Sequence, residues 1–183
     1  STGGYTDCAL QHGADQVFAL DVGYGQLDWK VRNDPRVVCL ERINIRYFSP
    51  EQLGQQVDII TIDGSFISTT LVFPVINDML KSEGHIISLI KPQFEAGRNK
   101  VGKKGVVRDP EVHREVLINC ITSAAQEGLF CTGITYSPIT GPQGNIEFFI
   151  SLNQERLSPE LDIEKTVALV VSEAHQQLGG KGI

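Results

Sequence analysis

Three charged residues stand beside short apolar runs. Asp63 closes Val57-Asp58-Ile59-Ile60-Thr61-Ile62, Lys91 closes Ile86-Ile87-Ser88-Leu89-Ile90, and Glu147 opens the run that ends at Leu152. Such runs, rich in β-branched residues, read as strands buried on both faces of a parallel sheet. In an open α/β sheet, ligands bind at the carboxyl edge of the strands. Glu147 begins a strand expected to run antiparallel, so it reaches that same edge. A lysine between two carboxylates there could hold a hydroxyl nucleophile and help remove its proton. A structural ion pair is the other reading of the same spacing, and convergence of all three on one edge favours chemistry.

A second group lies at the start of the chain. Ser1-Thr2-Gly3-Gly4-Tyr5-Thr6 is a glycine turn leading into a helix, where glycine lets the backbone approach a ligand. Asp21 ends the next strand, 17 residues after Gly4, where its carboxylate would accept hydrogen bonds from a ribose diol. The glycines do not follow G-x-G-x-x-G, which argues against a dinucleotide pyrophosphate cradle and leaves a plain tight turn as the alternative. A third group is basic. Lys30, Arg32, Arg36, Arg42 and Arg46 form one stretch, and Lys91, Arg98, Lys100, Lys103, Lys104 and Arg108 form another. Residues 30–46 and 91–108 together hold 11 basic and 3 acidic side chains, although the whole chain carries a net charge of −6. Phosphate binding requires such local excess, and Gly97, Gly102 and Gly105 would leave the second stretch mobile until a nucleic acid orders it. A solvated charged loop is the bland alternative.

These side chains need a scaffold. Val17-Phe18-Ala19-Leu20 and Val37-Val38-Cys39-Leu40 add two more expected strands. Helices are expected over Tyr5–Gln11, from Ser49-Pro50-Glu51, over Phe66–Lys81 with a stop at Gly84, and over Pro110–Gln126 behind an Asp109 cap. Strand–helix alternation of this kind specifies an α/β sandwich. Phe130–Tyr136 and Glu147–Leu152, joined by a Pro- and Gly-rich connection without a helix, imply an antiparallel pair at a sheet edge. Pro159–Leu178 reads as a closing helix with Leu161, Val167, Leu169, Val170 and Ala174 apolar.

At 183 residues and 41% hydrophobic the chain is long enough for one core. No apolar run reaches the roughly 18 residues of a membrane span. Cys8, Cys39, Cys120 and Cys131 lack C-x-x-C spacing and read as reduced, mostly buried thiols. His12, His85, His113 and His175 are scattered, so no metal site is expected. Cytoplasmic residence is the default.

Several ordered motifs are together recognisable. Ser1-Thr2-Gly3-Gly4-Tyr5-Thr6-Asp7-Cys8, Asp21-Val22-Gly23-Tyr24-Gly25-Gln26-Leu27, Asp34-Pro35-Arg36-Val37, Glu41-Arg42-Ile43-Asn44-Ile45-Arg46, Asp63-Gly64-Ser65-Phe66-Ile67-Ser68, Lys91-Pro92-Gln93-Phe94-Glu95 and Gly144-Asn145-Ile146-Glu147-Phe148 resemble the TlyA (hemolysin A) family, one of the FtsJ-like RNA ribose 2′-O-methyltransferases. The resemblance implies a Rossmann-like methyltransferase sandwich, a mostly parallel sheet with an antiparallel edge strand. It further implies S-adenosylmethionine as methyl donor and a ribosomal RNA ribose, expected to be a cytidine's, as acceptor within ribosomal subunits.

The family's catalytic set is Lys-Asp-Lys-Glu, and Asp63, Lys91 and Glu147 match its last three members. The resemblance places the first lysine, the first strand and an S4-like RNA-binding domain upstream, so residues 1–183 are expected to form a truncated catalytic domain. Gly64 departs from the family's usual valine. By the same resemblance Ser1, Thr2, Gly3 and Gly4 would line the methionine portion of the cofactor. Asp21 would take the ribose diol, with Val22 and Asn44 near adenine. Arg98, Lys100, Lys103, Lys104 and Arg108 would meet RNA. A membrane-lysing hemolysin and a non-catalytic RNA-binding module are the competing expectations. The acidic closing helix, with Glu160, Asp162, Glu164 and Glu173, argues against the first.

Overall fold

The computed structural model describes residues 1–179. Two compact units divide the chain, Ser1–Gln55 and Gln56–Ile183. In the first unit, α1 (Gly4–Gln11) leads to β1 (Val17–Asp21), a short α2 (Trp29–Arg32) and β2 (Val37–Glu41). The two strands pair in parallel, with Val17 opposite Val37 and Asp21 opposite Glu41. Asp28 starts α2 by accepting a hydrogen bond from the Lys30 amide at 2.9 Å. Arg36 reaches Asp34 at 2.8 Å and the Leu10 carbonyl at 3.2 Å, joining the turn before β2 to the end of α1.

The second unit holds β3 (Val57–Ile62), α3 (Phe73–Ile76), β4 (Leu80–Ile90), α4 (Pro92–Glu95), α5 (Pro110–Gln126), β5 (Phe130–Tyr136), β6 (Phe148–Asn153) and α6 (Ile163–Leu178). Its sheet has the order β3-β4-β6-β5. β3 and β4 are parallel, and β6 runs antiparallel to both its neighbours. The antiparallel pair therefore stands at the sheet edge, as its helix-free connection implies, with β5 outermost. Phe73, Leu80, Ile86, Ile90, Leu117, Leu129, Phe148, Ile150 and Leu152 have no exposure and form the core. Each such side chain contributes about 1.5–3 kcal/mol by leaving water.

Helix α5 buries His113, Val116, Leu117, Cys120, Ile121 and Ala124, a single face at helical spacing, behind an Asp109 cap that accepts from the Glu111 amide. In α6 the buried face is Val167, Val170, Val171, Ala174 and Leu178, and the helix starts at Ile163 behind Asp162 rather than at Pro159. Leu169, expected inside, is 55% exposed. His113 and His175 join the two helices. The Val107 carbonyl can only accept, so His113 Nε2 donates to it (3.2 Å), leaving His113 Nδ1 to accept from His175 Nε2 at 2.9 Å.

The expected helix over Phe66–Lys81 does not form. Phe66 is left-handed (φ 64°), Ser68 caps a 3-10 turn at Thr69–Leu71, and only Phe73–Ile76 is α-helical. Leu80 instead opens β4, opposite Val57. Gly84 lies inside this strand against the Leu80 side chain, where a Cβ would stand 2.6 Å from Leu80 Cδ1, so it serves close packing and stops no helix. Among the cysteines, Cys120 is buried and Cys8 is exposed, contrary to the expectation of general burial.

Candidate active site

The sheet of the second unit brings Asp63, Lys91 and Glu147 to one edge. Asp63 follows Ile62, which pairs with Ser88 of β4. Lys91 follows Ile90, which pairs with Phe148 of β6, so one further step of that register sets Lys91 opposite Glu147. Lys91 Nζ lies 2.5 Å from Asp63 Oδ1 and donates to Ser65 Oγ at 3.3 Å. The side chain of Lys91 is 14% exposed, so this ion pair is sheltered from solvent on most sides.

Lys91 does not bridge the two carboxylates. Glu147, buried, accepts from Gln93 Nε2 at 3.0 Å, and the Gln93 Oε1 atom is buried without a partner among the described residues. A Cβ at Gly141 would collide with the Glu147 carboxylate, so glycine there leaves room for the acid. A second carboxylate organises the segment after Asp63. Glu95 accepts from Ser68 Oγ at 2.5 Å and from the Thr69 amide at 2.8 Å, while the Phe94 ring lies 5.0 Å from that of Phe66. Phe66 is 91% exposed despite its left-handed backbone, which costs a side-chain-bearing residue about 1–2 kcal/mol.

The expected cofactor residues all lie in the first unit. Gly3 adopts φ 98° ahead of α1, a conformation that favours glycine, and a Cβ there would collide with Leu27. Ser1 Oγ accepts from the Gly3 amide at 3.2 Å, and the Thr2 carbonyl accepts from the Asp28 amide at 3.0 Å. Asp21 Oδ1 accepts from the Gly23 amide at 2.7 Å. Val22, next in sequence, is 71% exposed. Asn44 is placed differently: its Oδ1 accepts from the Arg46 amide at 3.1 Å and caps the turn Ile45–Tyr47.

The basic residues divide. In the first stretch Arg32 pairs with Glu41, Arg36 pairs with Asp34, and Arg42 stacks 4.2 Å from the Tyr24 ring centroid. The Arg36 guanidinium beside it drives the Asp34 pKa down to about 2. In the second stretch Lys91 is sheltered, and the other five cations are exposed. Lys100 pairs with Glu115, whereas Arg98, Lys103, Lys104 and Arg108 have no ion-pair partner among the described residues. Sequence reasoning assigned no role to Ser65, Phe66, Gln93, Glu95 or Asn145. All five lie inside the motifs quoted for the resemblance, and that was the available signal.

Parallel strand pairs joined by helical crossovers, with charged side chains at their carboxyl ends, put the chain in the Rossmann-like class of α/β proteins. A family model described as FtsJ-like methyltransferase matches residues 1–154, and the chain belongs to that family. It is 50% identical to YqxC of Bacillus subtilis over 185 residues, covering 99% of this chain and 66% of that protein. It is 42% identical to the "16S/23S rRNA (cytidine-2'-O)-methyltransferase TlyA" of Mycobacterium tuberculosis over 175 residues, covering 94% of this chain and 65% of that one. A solved structure from Streptococcus thermophilus that carries the hemolysin name superposes with a TM-score of 0.92 at 40% identity, covering 99% of this chain and 66% of that one. The chain thus spans just under two thirds of the length of these relatives. Among the described residues no helix is long and apolar enough to cross a membrane.

Proposed function

We propose that these residues form the catalytic part of an S-adenosylmethionine-dependent methyltransferase. Its acceptor is the ribose 2′-hydroxyl of a cytidine in ribosomal RNA, methylated on the ribosome in the cytoplasm. The observation that carries this reading is the sheltered Lys91–Asp63 pair at 2.5 Å, on the sheet edge where the strand register also delivers Glu147.

The first unit fits the methyl donor by its donor set. Asp21 offers two carboxylate oxygens to a diol, the Ser1–Gly4 turn offers main-chain groups, and exposed Val22 offers an apolar face for a purine. When bound, the donor supplies a sulfonium methyl with its own leaving group, so the protein's task is to orient the acceptor oxygen and remove its proton. Lys91 presents N–H donors to that oxygen, with Asp63 and Ser65 fixing their direction. Glu147, held by Gln93, is the carboxylate placed to take the proton or pass it to water. Exposed Phe66 gives a nucleobase a ring to stack on. Arg98, Lys103, Lys104 and Arg108 serve as phosphate contacts, with Lys100 joining them on release from Glu115.

The test is transfer of tritiated methyl to ribosomal subunits by full-length protein, because the chain spans just under two thirds of the length of the relatives it matches. Lys91→Ala is expected to lose at least about 100-fold in turnover while binding the cofactor normally. Full turnover by that variant would sink the assignment.

A further inference from the structure

Asn145 lies two residues before Glu147 and is 3% exposed. Its side chain is committed in three directions. Oδ1 accepts from the Val107 amide at 3.1 Å, and Nδ2 donates to the Gly105 carbonyl at 3.0 Å and to the Pro142 carbonyl at 3.0 Å. Its main-chain carbonyl accepts from the Gly141 amide at 2.8 Å, the glycine whose missing Cβ makes room for the Glu147 carboxylate. One buried amide therefore ties the basic loop, at Gly105 and Val107, to the connection that delivers Glu147.

The loop needs such an anchor. Lys104 and Gly105 are both left-handed (φ 64° and 74°), a conformation that a lysine holds only when its surroundings enforce it. Val106 and Val107 beyond them are 4% and 2% exposed, whereas Lys103 and Lys104 are open to solvent. The loop is thus fixed at its base and free at its cations. On the reading given above, which this inference deepens, RNA phosphates engage those cations.

We infer that Asn145 is a positioning residue that couples the basic loop to Glu147, so that RNA on the loop also orders the carboxylate. An amide is the side chain this place requires. It supplies an acceptor for Val107 and two donors for carbonyls, whereas a carboxylate would set a second oxygen against Gly105 and Pro142. Asn145→Asp is accordingly more harmful than Asn145→Ala. In methyl transfer Asn145→Ala is expected to lower kcat about tenfold as well as raising KM for RNA, and Asn145→Asp to lower kcat further.

The deciding measurement is amide hydrogen exchange in full-length protein with an oligocytidine RNA and no cofactor. In wild type, RNA is expected to slow exchange both at 99–107 and at 145–149; in Asn145→Ala it should slow only the first. Protection of both segments in the variant, of the loop alone in wild type, or of neither in wild type overturns the inference. Should Asn145→Ala fail to fold, Lys103→Ala/Lys104→Ala leaves the anchor intact. Protection at 145–149 must then fall together with protection of the loop, and full protection there overturns the coupling. Exchange is read without methyl transfer, so an inactive wild type would refute the enzymatic reading and leave the coupling to be judged by itself.

Discussion

His113 Nδ1 lies 2.9 Å from His175 Nε2, and only one proton fits between them. Burial, then the neighbouring His175, depresses the His113 pKa to about 4. His175 is also lowered, by burial first and by Arg114, against the upward pull of Asp109. Both rings are thus neutral in the fold where the unfolded chain would protonate them. Above pH 6.5 neither state takes the proton and nothing is lost. As pH falls from 6.5 towards 4 the unfolded state gains protons first, and stability drops by about 3 kcal/mol from His113 alone. Urea midpoints at pH 7 and pH 4.5 should therefore diverge more in wild type than in His113→Gln, whose amide can still donate to Val107. Equal divergence would show that the pair does not set the acid limit.

Asp21 Oδ1 is held by the Gly23 amide at 2.7 Å, which leaves Oδ2 to accept from a diol. Asp21→Asn exchanges one acceptor oxygen for a donor. Loss of charge-assisted bonds of about 1.5–3 kcal/mol predicts a 10- to 100-fold rise in Kd for S-adenosylmethionine, read by calorimetry on full-length protein. An unchanged Kd would remove Asp21 from the cofactor site.

Phe66 exposes 91% of its surface in a strained backbone beside Phe94. Stacking of a base on such a ring is worth about 1–3 kcal/mol. Phe66→Ala should weaken RNA use at least about fivefold in kcat/KM while leaving cofactor affinity alone, and Phe66→Tyr should retain most of the activity. Equal activity in the Ala and wild-type proteins would assign the ring to packing against Phe94.

The strands and their charged ends were legible because runs of β-branched residues leave an uninterrupted apolar signal. The expected burial on both faces is not met: Ile59 of β3 is 60% exposed and Ile87 of β4 is 39% exposed. Helix α5 was legible because an Asp109 cap, Pro110 and a one-sided apolar pattern coincide. The segment 66–79 was misread because its apolar spacing also suits a series of short turns. What decides between them is Glu95, 26 residues beyond Thr69, whose carboxylate ties down Ser68 and Thr69. Spacing likewise put Lys91 between two acids but could not show that Asp63 takes it while Gln93 takes Glu147. Asn145 was hidden for the same reason. Its partners at 105, 107 and 142 follow no period, and a small amide has no pattern until the chain is folded.

Register between β4 and β6 places Lys91 across from Glu147 through a ladder of main-chain pairs from Ile86–Leu152 to Ile90–Phe148. Their spacing is inherited from the sheet and owes nothing to how long the intervening chain is. Doubling a flexible surface loop costs only about 0.6 kcal/mol of closure entropy. Insertions around Arg98–Lys104 can therefore accumulate between related proteins, reshaping which RNA is gripped, while the distance between the two strand-borne groups stays fixed. In this architecture, specificity can drift at the loop tip so long as the Gly105–Val107 base that Asn145 holds is kept.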